Sequence, residues 1–265
     1  MTPTRPALRY HGGKWLLAPW IVSQFPPHQI YTEAFGGAAS VLLRKPRSYA
    51  EIYNDLDEEV VSFFRVLRDN PEALQRRLRL TPFSRQEYVD AYESTDDPIE
   101  RAARTVVKAY MGFGSDAIQR KSGFRANSDR SGTTPAHDWA HFSEAIEGLA
   151  SRFQGVVIEN RDAIQVIREH DRPGSLHYVD PPYPLSTRTS GKGYRHEMED
   201  EHHRELAKFL KLCKGMVVVS SYESPLYESL FKGWRRVNRA TRTMKSTRRV
   251  EVLWMNFTPP NRLDI

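Results

Sequence analysis

A single cysteine, Cys213, in 265 residues excludes an intramolecular disulfide and a cysteine-based zinc site. It suits a reducing compartment. No apolar run approaches the roughly 20 residues of a membrane span. The opening stretch MTPTRPALRYHGGKW has no apolar core of a signal peptide, so neither secretion nor a membrane partner is expected. A complete G-x-G-x-x-G phosphate fingerprint is also missing, which argues against a nicotinamide oxidoreductase. Histidines supply no metal set. His137 and His141 stand four apart in HDWAH without a third ligand or a glutamate base, so no metal is expected. Asp and Glu are wholly absent from residues 232–249, which carry eight Lys/Arg in a chain whose net charge is +6. A second basic stretch, QRKSGFRANSDRSG, covers 119–132. Such patches suit a polyanion, most simply nucleic acid, although a solvated basic face has the same composition.

What is present alternates between strand and helix patterns. Leu17, Ile21 and Phe25 fall on one helical face, with Leu16 and Trp20 beside them; Pro19 makes this helix start late or bend. Residues 29–35 read as a strand running into GGAAS and a helix start, VLLR. Residues 48–53 read as a second strand ending at Asn54-Asp55. A helix follows, with Leu56, Val60, Phe63, Phe64 and Leu67 at helical spacing. Residues 70–150 are more polar, with helices predicted at 84–93 and 98–111 and a Gly/Ser/Arg/Asn-rich loop at 112–135. Alternation returns with strands at 155–160 and 175–180, a helix over 202–213, and strands at 216–221 and 250–257. The pattern predicts an α/β sheet interrupted by an insertion, in which ligands collect at the carboxyl ends of the strands. Gly36-Gly37, Asp55 and Asp180-Pro181-Pro182-Tyr183 all fall there.

Each has a chemical reading. Glycine lets the backbone approach a ligand closely. An acid after the next strand can bond a ribose hydroxyl pair, and with no pyrophosphate fingerprint that favours a nucleoside. Proline fixes its own φ and extends the residue before it, so Asp180-Pro181-Pro182 is rigid. The Asp180 carboxylate and the Pro181 carbonyl then form two acceptors at fixed separation. Two such acceptors suit an exocyclic amine, and Tyr183 offers a ring for stacking its base. Acceptors on both amine hydrogens free the nitrogen lone pair and stabilise the cation formed when it attacks. Adenine and cytosine both present such an amine, and a stiff turn without chemistry has the same sequence. His202-His203 reads as a solvated helix start; Cys213, Trp139, Trp234 and Trp254 read as packing.

Six stretches together resemble the Dam-like (D12 class) DNA adenine N6-methyltransferases: RYHGGKW (9–15), EAFGGAASV (33–41), YNDLD (53–57), VDPPY (179–183), YRHEMEDEHHRELAKFL (194–210) and RRVEVLWMNF (248–257). They cover nearly the whole chain in the family's order. The resemblance implies a Rossmann-like, S-adenosylmethionine-dependent methyltransferase sheet formed by 1–69 and 151–265. Residues 70–150 would be an inserted, mostly helical target-recognition domain. It implies a cofactor pocket lined by Tyr10, Lys14, Phe35, Gly36, Gly37, Asp55, Asp162 and Asp180. Asp180, Pro181, Pro182 and Tyr183 become catalytic, gripping an adenine flipped from double-stranded DNA. Enzymes acting on cytosine N4 usually carry Ser before Pro-Pro-Tyr, so Asp180 favours adenine; a catalytically silent DNA binder is the other alternative. DNA contacts are expected from Arg120, Lys121, Arg125, Asn127 and Arg130 in the loop. Others are expected from Arg235, Arg236, Arg239, Arg242, Lys245, Arg248 and Arg249 in the Arg-rich segment. The expected setting is the cytoplasm of a prokaryotic or phage-infected cell, with no obligate protein partner.

Overall fold

The computed structural model describes residues 3–127, 132–188, 193–242 and 248–260. Seven strands form one sheet: β1 (Ile30–Glu33), β2 (Ala50–Asn54), β3 (Val156–Glu159), β4 (Ser175–Val179), β5 (Met216–Tyr222), β6 (Arg235–Arg242) and β7 (Arg248–Met255). Their order is β3-β2-β1-β4-β5-β7-β6. β7 runs antiparallel between β5 and β6, and the pairs among β1 to β5 are parallel. This is the mostly parallel, Rossmann-like sheet that the sequence predicts. The order reverses between β1 and β4, which are hydrogen-bonded neighbours. A crevice therefore opens above their carboxyl ends, where Gly36-Gly37 follows β1 and Asp180 follows β4.

The helices follow their apolar stripes. α1 (Ala18–Val22) does start late, with Pro19 in its first turn. Leu16, expected beside its buried face, is instead 87 % exposed, because it precedes the first helical turn. α2 (Ser40–Arg44) starts behind Ala39, a residue at φ 52°. That left-handed conformation is costly for a side chain and marks the strained turn that follows Gly37. α3 (Glu58–Asp69) is capped by Asp57, whose carboxylate accepts from the Glu59 backbone N–H, and it buries Val60, Phe63, Phe64 and Leu67. Leu56 lies outside the helix and is 43 % exposed.

Residues 70–150 are mostly helical, as expected: α4 (Pro71–Leu80), α5 (Arg85–Asp90), α6 (Pro98–Met111), α7 (Pro135–Ala140) and the start of α8 (Ile146–Phe153). Their apolar faces do not form a separate core. Leu74, Val106 and Leu149 share one continuous cluster with Tyr53, Leu176 and Met255 of the sheet. The other sheet face packs against α9 (Ala163–His170), α10 (Asp200–Leu210) and α11 (Pro225–Leu230) through Ala163, Leu206, Val219 and Trp254. The histidine pair expected to be solvated divides. His202 closes a capping box with Glu199. His203 faces inward, fully buried, with its Nδ1 3.0 Å from the Tyr227 hydroxyl; burial pushes it down to about 4. Trp139 is packed, and its indole donates to the Thr81 carbonyl.

The Arg-rich segment is more than a basic patch. Residues 235–242 form β6, paired in register with β7 from Arg235↔Met255 to Arg242↔Arg248. Glu251 of β7 lies opposite Tyr222 at the carboxyl end of β5. The paired strand ends at Arg242 and Arg248 therefore lie toward the same edge of the sheet as the crevice.

Candidate active site

A cavity of about 280 Å³ fills that crevice. Of the predicted cofactor residues, it gathers Tyr10, Lys14, Phe35, Gly36, Gly37, Asp55, Asp162 and Asp180 on one wall or another. Three local devices shape it. Gly36 allows close approach, because any Cβ there would overlap the buried Tyr53 ring, and the Tyr53 hydroxyl donates to the Gly37 carbonyl at 2.7 Å. Gly37 sits at φ +46°, and a Cβ would meet the Tyr10 ring at 2.8 Å. Asp55 accepts from the Gly37 N–H at 2.8 Å and from the Asp57 N–H at 2.7 Å. Two backbone bonds fix the carboxylate and leave lone pairs directed elsewhere. Asn54 ties the loops together, donating to the carbonyls of Ala34 and Arg161 and accepting from the Arg161 N–H. Asp162 caps α9 through the Gln165 N–H. We expect Gly36→Val, which drives a side chain into the Tyr53 ring, to lower cofactor affinity at least tenfold while the Gly155→Ala control, in open space but at φ +79°, costs about 1–2 kcal/mol of stability; isothermal titration and thermal melts check both.

Burial sets the protonation of the cavity walls. Desolvation raises Asp55 to about 6 despite its backbone bonds. It raises Glu33, which lines the cavity and accepts from Tyr31 and the Leu42 N–H, to about 8. Glu33 is not singled out by sequence reasoning, although an acid directly before AFGG is a visible signal.

At the other wall stand Asp180 and Pro182 of the DPPY turn, whereas Pro181 and Tyr183 are not among the lining residues. Lys14 Nζ is 2.8 Å from Asp180 Oδ2 and 2.9 Å from the Gly12 carbonyl. Lys14 is pulled both ways: burial works against its charge, while Asp180 and then Glu251 favour it, and the net direction is upward. Asp180 is raised by burial against the pull of Lys14 and, less strongly, of the nearby Tyr183 and Ser220 hydroxyls. Its second oxygen, Oδ1, is buried and has no hydrogen-bond partner. A buried acceptor left open in this way is costly, and it is the kind of atom that a ligand donor completes. Tyr183 is 5 % exposed. Lys14 Nζ lies over its ring at 4.7 Å, and Tyr222 meets it edge-on at 4.7 Å.

Tyr194 to Met198 complete the cavity. Tyr194 packs edge-on against His11. Arg195 pairs with Asp57 at 3.0 Å and Glu59 at 3.1 Å. These residues belong to the stretch that resembles the family's segment after the catalytic motif, but sequence reasoning assigns none of them an individual role.

The predicted DNA contacts scatter. Arg120 and Lys121 are exposed, Arg120 paired with Asp116 and Lys121 over the Tyr92 ring at 5.5 Å. Asn127 is exposed, whereas Arg125 is buried and its backbone bonds Met111. Arg239 is exposed on β6 over Trp20. Arg249 donates to the Thr187 carbonyl and lies over Tyr222. Arg235 sits at the far end of the hairpin from the crevice, opposite Met255. Arg236 is engaged by Glu223 and Glu228. Arg242 and Arg248 begin and end the β6–β7 connection. Arg130 and Lys245 lie outside the described residues. Three described residues, Glu159, Glu169 and His170, bring ligand atoms within 4.8 Å of one another, with Arg161 bonded to Glu169 among them. Among the described residues no helix is long and apolar enough to cross a membrane.

The family model for the D12 class N6 adenine-specific DNA methyltransferases matches residues 10–247. The type II methyltransferase M1.LlaDCHI of Lactococcus lactis subsp. cremoris is 29% identical over 259 residues, covering 90% of this chain and 89% of that one. The DNA adenine methylase of Vibrio cholerae is 25% identical over 280 residues, with 98% of each covered. Among solved structures, a SAM-dependent methyltransferase from Agrobacterium tumefaciens aligns at a TM-score of 0.35 and 10% identity, over 93% of this chain and 61% of that one. That likeness is too slight to carry weight.

Proposed function

Given that this chain belongs to the D12 class N6 adenine-specific DNA methyltransferases, and so methylates adenine in DNA from S-adenosylmethionine, we propose that the open acceptor at Asp180 is where the target amine docks, in an adenine extruded from duplex DNA. The observation that carries this is the buried, unpartnered Oδ1 of Asp180 on the wall of the cavity. The residues fit the cofactor: a side-chain-free turn at Gly36-Gly37, where a Cβ would strike the Tyr53 and Tyr10 rings, and an acid, Asp55, fixed beside it. Tyr10, Lys14, Phe35 and Asp162 would complete its pocket. When bound, S-adenosylmethionine supplies a methyl group already activated on a sulfonium sulfur.

The protein's own groups do the rest. Asp180 Oδ1 and the Pro181 carbonyl accept the two amine hydrogens, which frees the nitrogen lone pair and stabilises the cation that develops on nitrogen. The Pro181-Pro182 turn keeps the two acceptors at one separation. Asp180, whose proton affinity burial raises, then takes the proton that the methylated nitrogen sheds. Lys14 keeps the turn's other oxygen neutralised. Extruding a base costs a few kcal/mol; stacking on one aromatic ring would return only about 1–3 kcal/mol, and Tyr183, 5 % exposed beneath Lys14, leaves little of its face open to a base. Contacts from the basic loop and the hairpin therefore supply the remainder, and we assign target recognition to the helical insertion of 70–150. Native duplex DNA is expected to accept label from methyl-labelled S-adenosylmethionine faster than the same DNA heat-denatured. A preference for the denatured form would remove base extrusion from the mechanism.

Asp55 gives a pH signature. Below about 6 it is protonated and loses acceptor capacity for a ribose hydroxyl pair. Cofactor affinity should therefore rise as pH rises through about 6, read by calorimetry from about pH 5 to about pH 9. Asp55→Asn should remove that inflection and leave any contribution from Glu33, near 8. The stability term has the opposite sign. Both acids are raised by burial, so protonation favours the folded chain, and that part of its stability is lost as pH climbs through these values.

A further inference from the structure

We infer that Glu251 is a positioning residue for methyl transfer: it locks the Tyr183 phenol in one plane and shares the Lys14 charge, so that Asp180 keeps an acceptor open for the amine. The inference rests on the reading of Asp180 given above.

Glu251 is carried by β7, the one antiparallel strand between β5 and β6, in register with Tyr222. Sheet order alone brings it to the crevice, 71 residues after Asp180. The side chain is buried, with the residue 2 % exposed. A carboxylate is rarely placed there without a purpose, because an ion pair removed from water contributes little net stability and tends to serve specificity. Three groups meet at one oxygen, Oε1. The Ser220 hydroxyl donates to it at 2.6 Å, the Tyr183 hydroxyl donates to it, and Lys14 Nζ lies 3.9 Å away. The Tyr183 and Ser220 hydroxyls are themselves 3.0 Å apart.

Tyr183 is thus held at every point. The Pro181-Pro182 turn sets its backbone. Lys14 covers one region of its face, Tyr222 meets it edge-on, and Glu251 with Ser220 anchors the phenol oxygen. A phenylalanine would occupy the same space without the anchor. Lys14 in turn stands between two carboxylates, closer to Asp180 at 2.8 Å than to Glu251 at 3.9 Å. With Glu251 neutralised, Lys14 would be drawn wholly to Asp180 and compete for the oxygen meant for the amine. Glu251 touches no reacting atom in this scheme; it acts through Tyr183 and Lys14.

A double-mutant cycle tests this, with methyl transfer to duplex DNA and cofactor affinity measured for wild type, Tyr183→Phe, Glu251→Gln and the double variant. Asp180→Ala runs beside them. Glu251→Gln should lower kcat roughly tenfold or more, the scale of a charge-assisted hydrogen bond, and leave cofactor affinity within about threefold. The double variant should be no slower than the slower single variant, because both remove the same anchor. Losses that multiply, or equal falls in kcat and cofactor affinity, would overturn the inference. If Glu251→Gln does not fold, Ser220→Ala with Tyr183→Phe makes the equivalent cycle, with the same two outcomes. Wild-type activity in Asp180→Ala would instead defeat the underlying reading of the turn, whatever the cycle shows.

Discussion

Asp180→Ala should lose methyl transfer by about a thousandfold or more while its affinity for S-adenosylmethionine changes far less. The size follows from what is removed. Asp180 supplies the open buried acceptor, and a preorganised group aimed at developing charge is commonly worth 10²–10³ in rate, about 3–4 kcal/mol. The loss of a proton acceptor comes on top of it. Cofactor affinity should change far less than the rate, because the turn at Gly36-Gly37 and Asp55 is built from other strands, although Asp180 and Lys14 also line the cavity. The variant also leaves Lys14 buried with the Gly12 carbonyl, the Tyr183 ring and the more distant Glu251 but without its close carboxylate. Breaking a buried pair by deleting one partner is strongly destabilising, by about 3–5 kcal/mol. Asp180→Asn is the companion variant: it keeps the shape and one acceptor, and should fall between Ala and wild type in rate. Stopped assays with labelled cofactor, a melting curve and calorimetry separate the effects. An Ala variant that binds cofactor and still turns over within about tenfold of wild type would remove Asp180 from the chemistry.

The second large effect concerns DNA. Replacing Arg120, Lys121, Arg239 and Arg249 together by Gln should weaken duplex binding by roughly 10²–10³ at physiological salt and flatten its salt dependence. If three of the four meet phosphates, the slope of log K against log salt falls by about 2.7, at 0.9 per phosphate. The fold should survive: Arg120, Lys121 and Arg239 are exposed, and surface changes of this kind cost little. Fluorescence anisotropy with a labelled duplex over a salt series reads both quantities. An unchanged slope would place the DNA elsewhere. Arg235 and Arg236 make the internal comparison. One lies at the far end of the hairpin and the other is engaged by Glu223 and Glu228. Their replacement should move the slope less.

Much of the sheet is legible in the amino-acid pattern alone. The runs GVVIEN, SLHYVD and MVVVSS are dense in β-branched and apolar residues, since they line the buried middle of a parallel sheet, and their strands appear within two residues of expectation. The acid and glycine turns at their carboxyl ends are legible for the same reason. β6 is not. Its sequence, RRVNRATR, is an edge strand of which Val237 reaches the main core, so its apolar signal is thin and its arginines dominate. α4 and α9 escape likewise, because each buries only two or three side chains in a polar setting. Contacts joined by sheet order are beyond sequence spacing altogether: Lys14 with Asp180, and Tyr183 with Glu251, are pairs separated by 166 and 68 residues. The insertion stands out by its polarity, yet that polarity gives no hint that Leu74, Val106 and Leu149 join the core of the sheet.

The central claim is that the stiff turn from Asp180 to Tyr183 holds the N6 amine of an adenine. The most direct test digests duplex DNA after incubation with methyl-labelled S-adenosylmethionine and resolves the nucleosides. The account predicts that the label sits in N6-methyladenine. Label in N4-methylcytosine, or in no nucleoside of DNA despite bound cofactor, would contradict it.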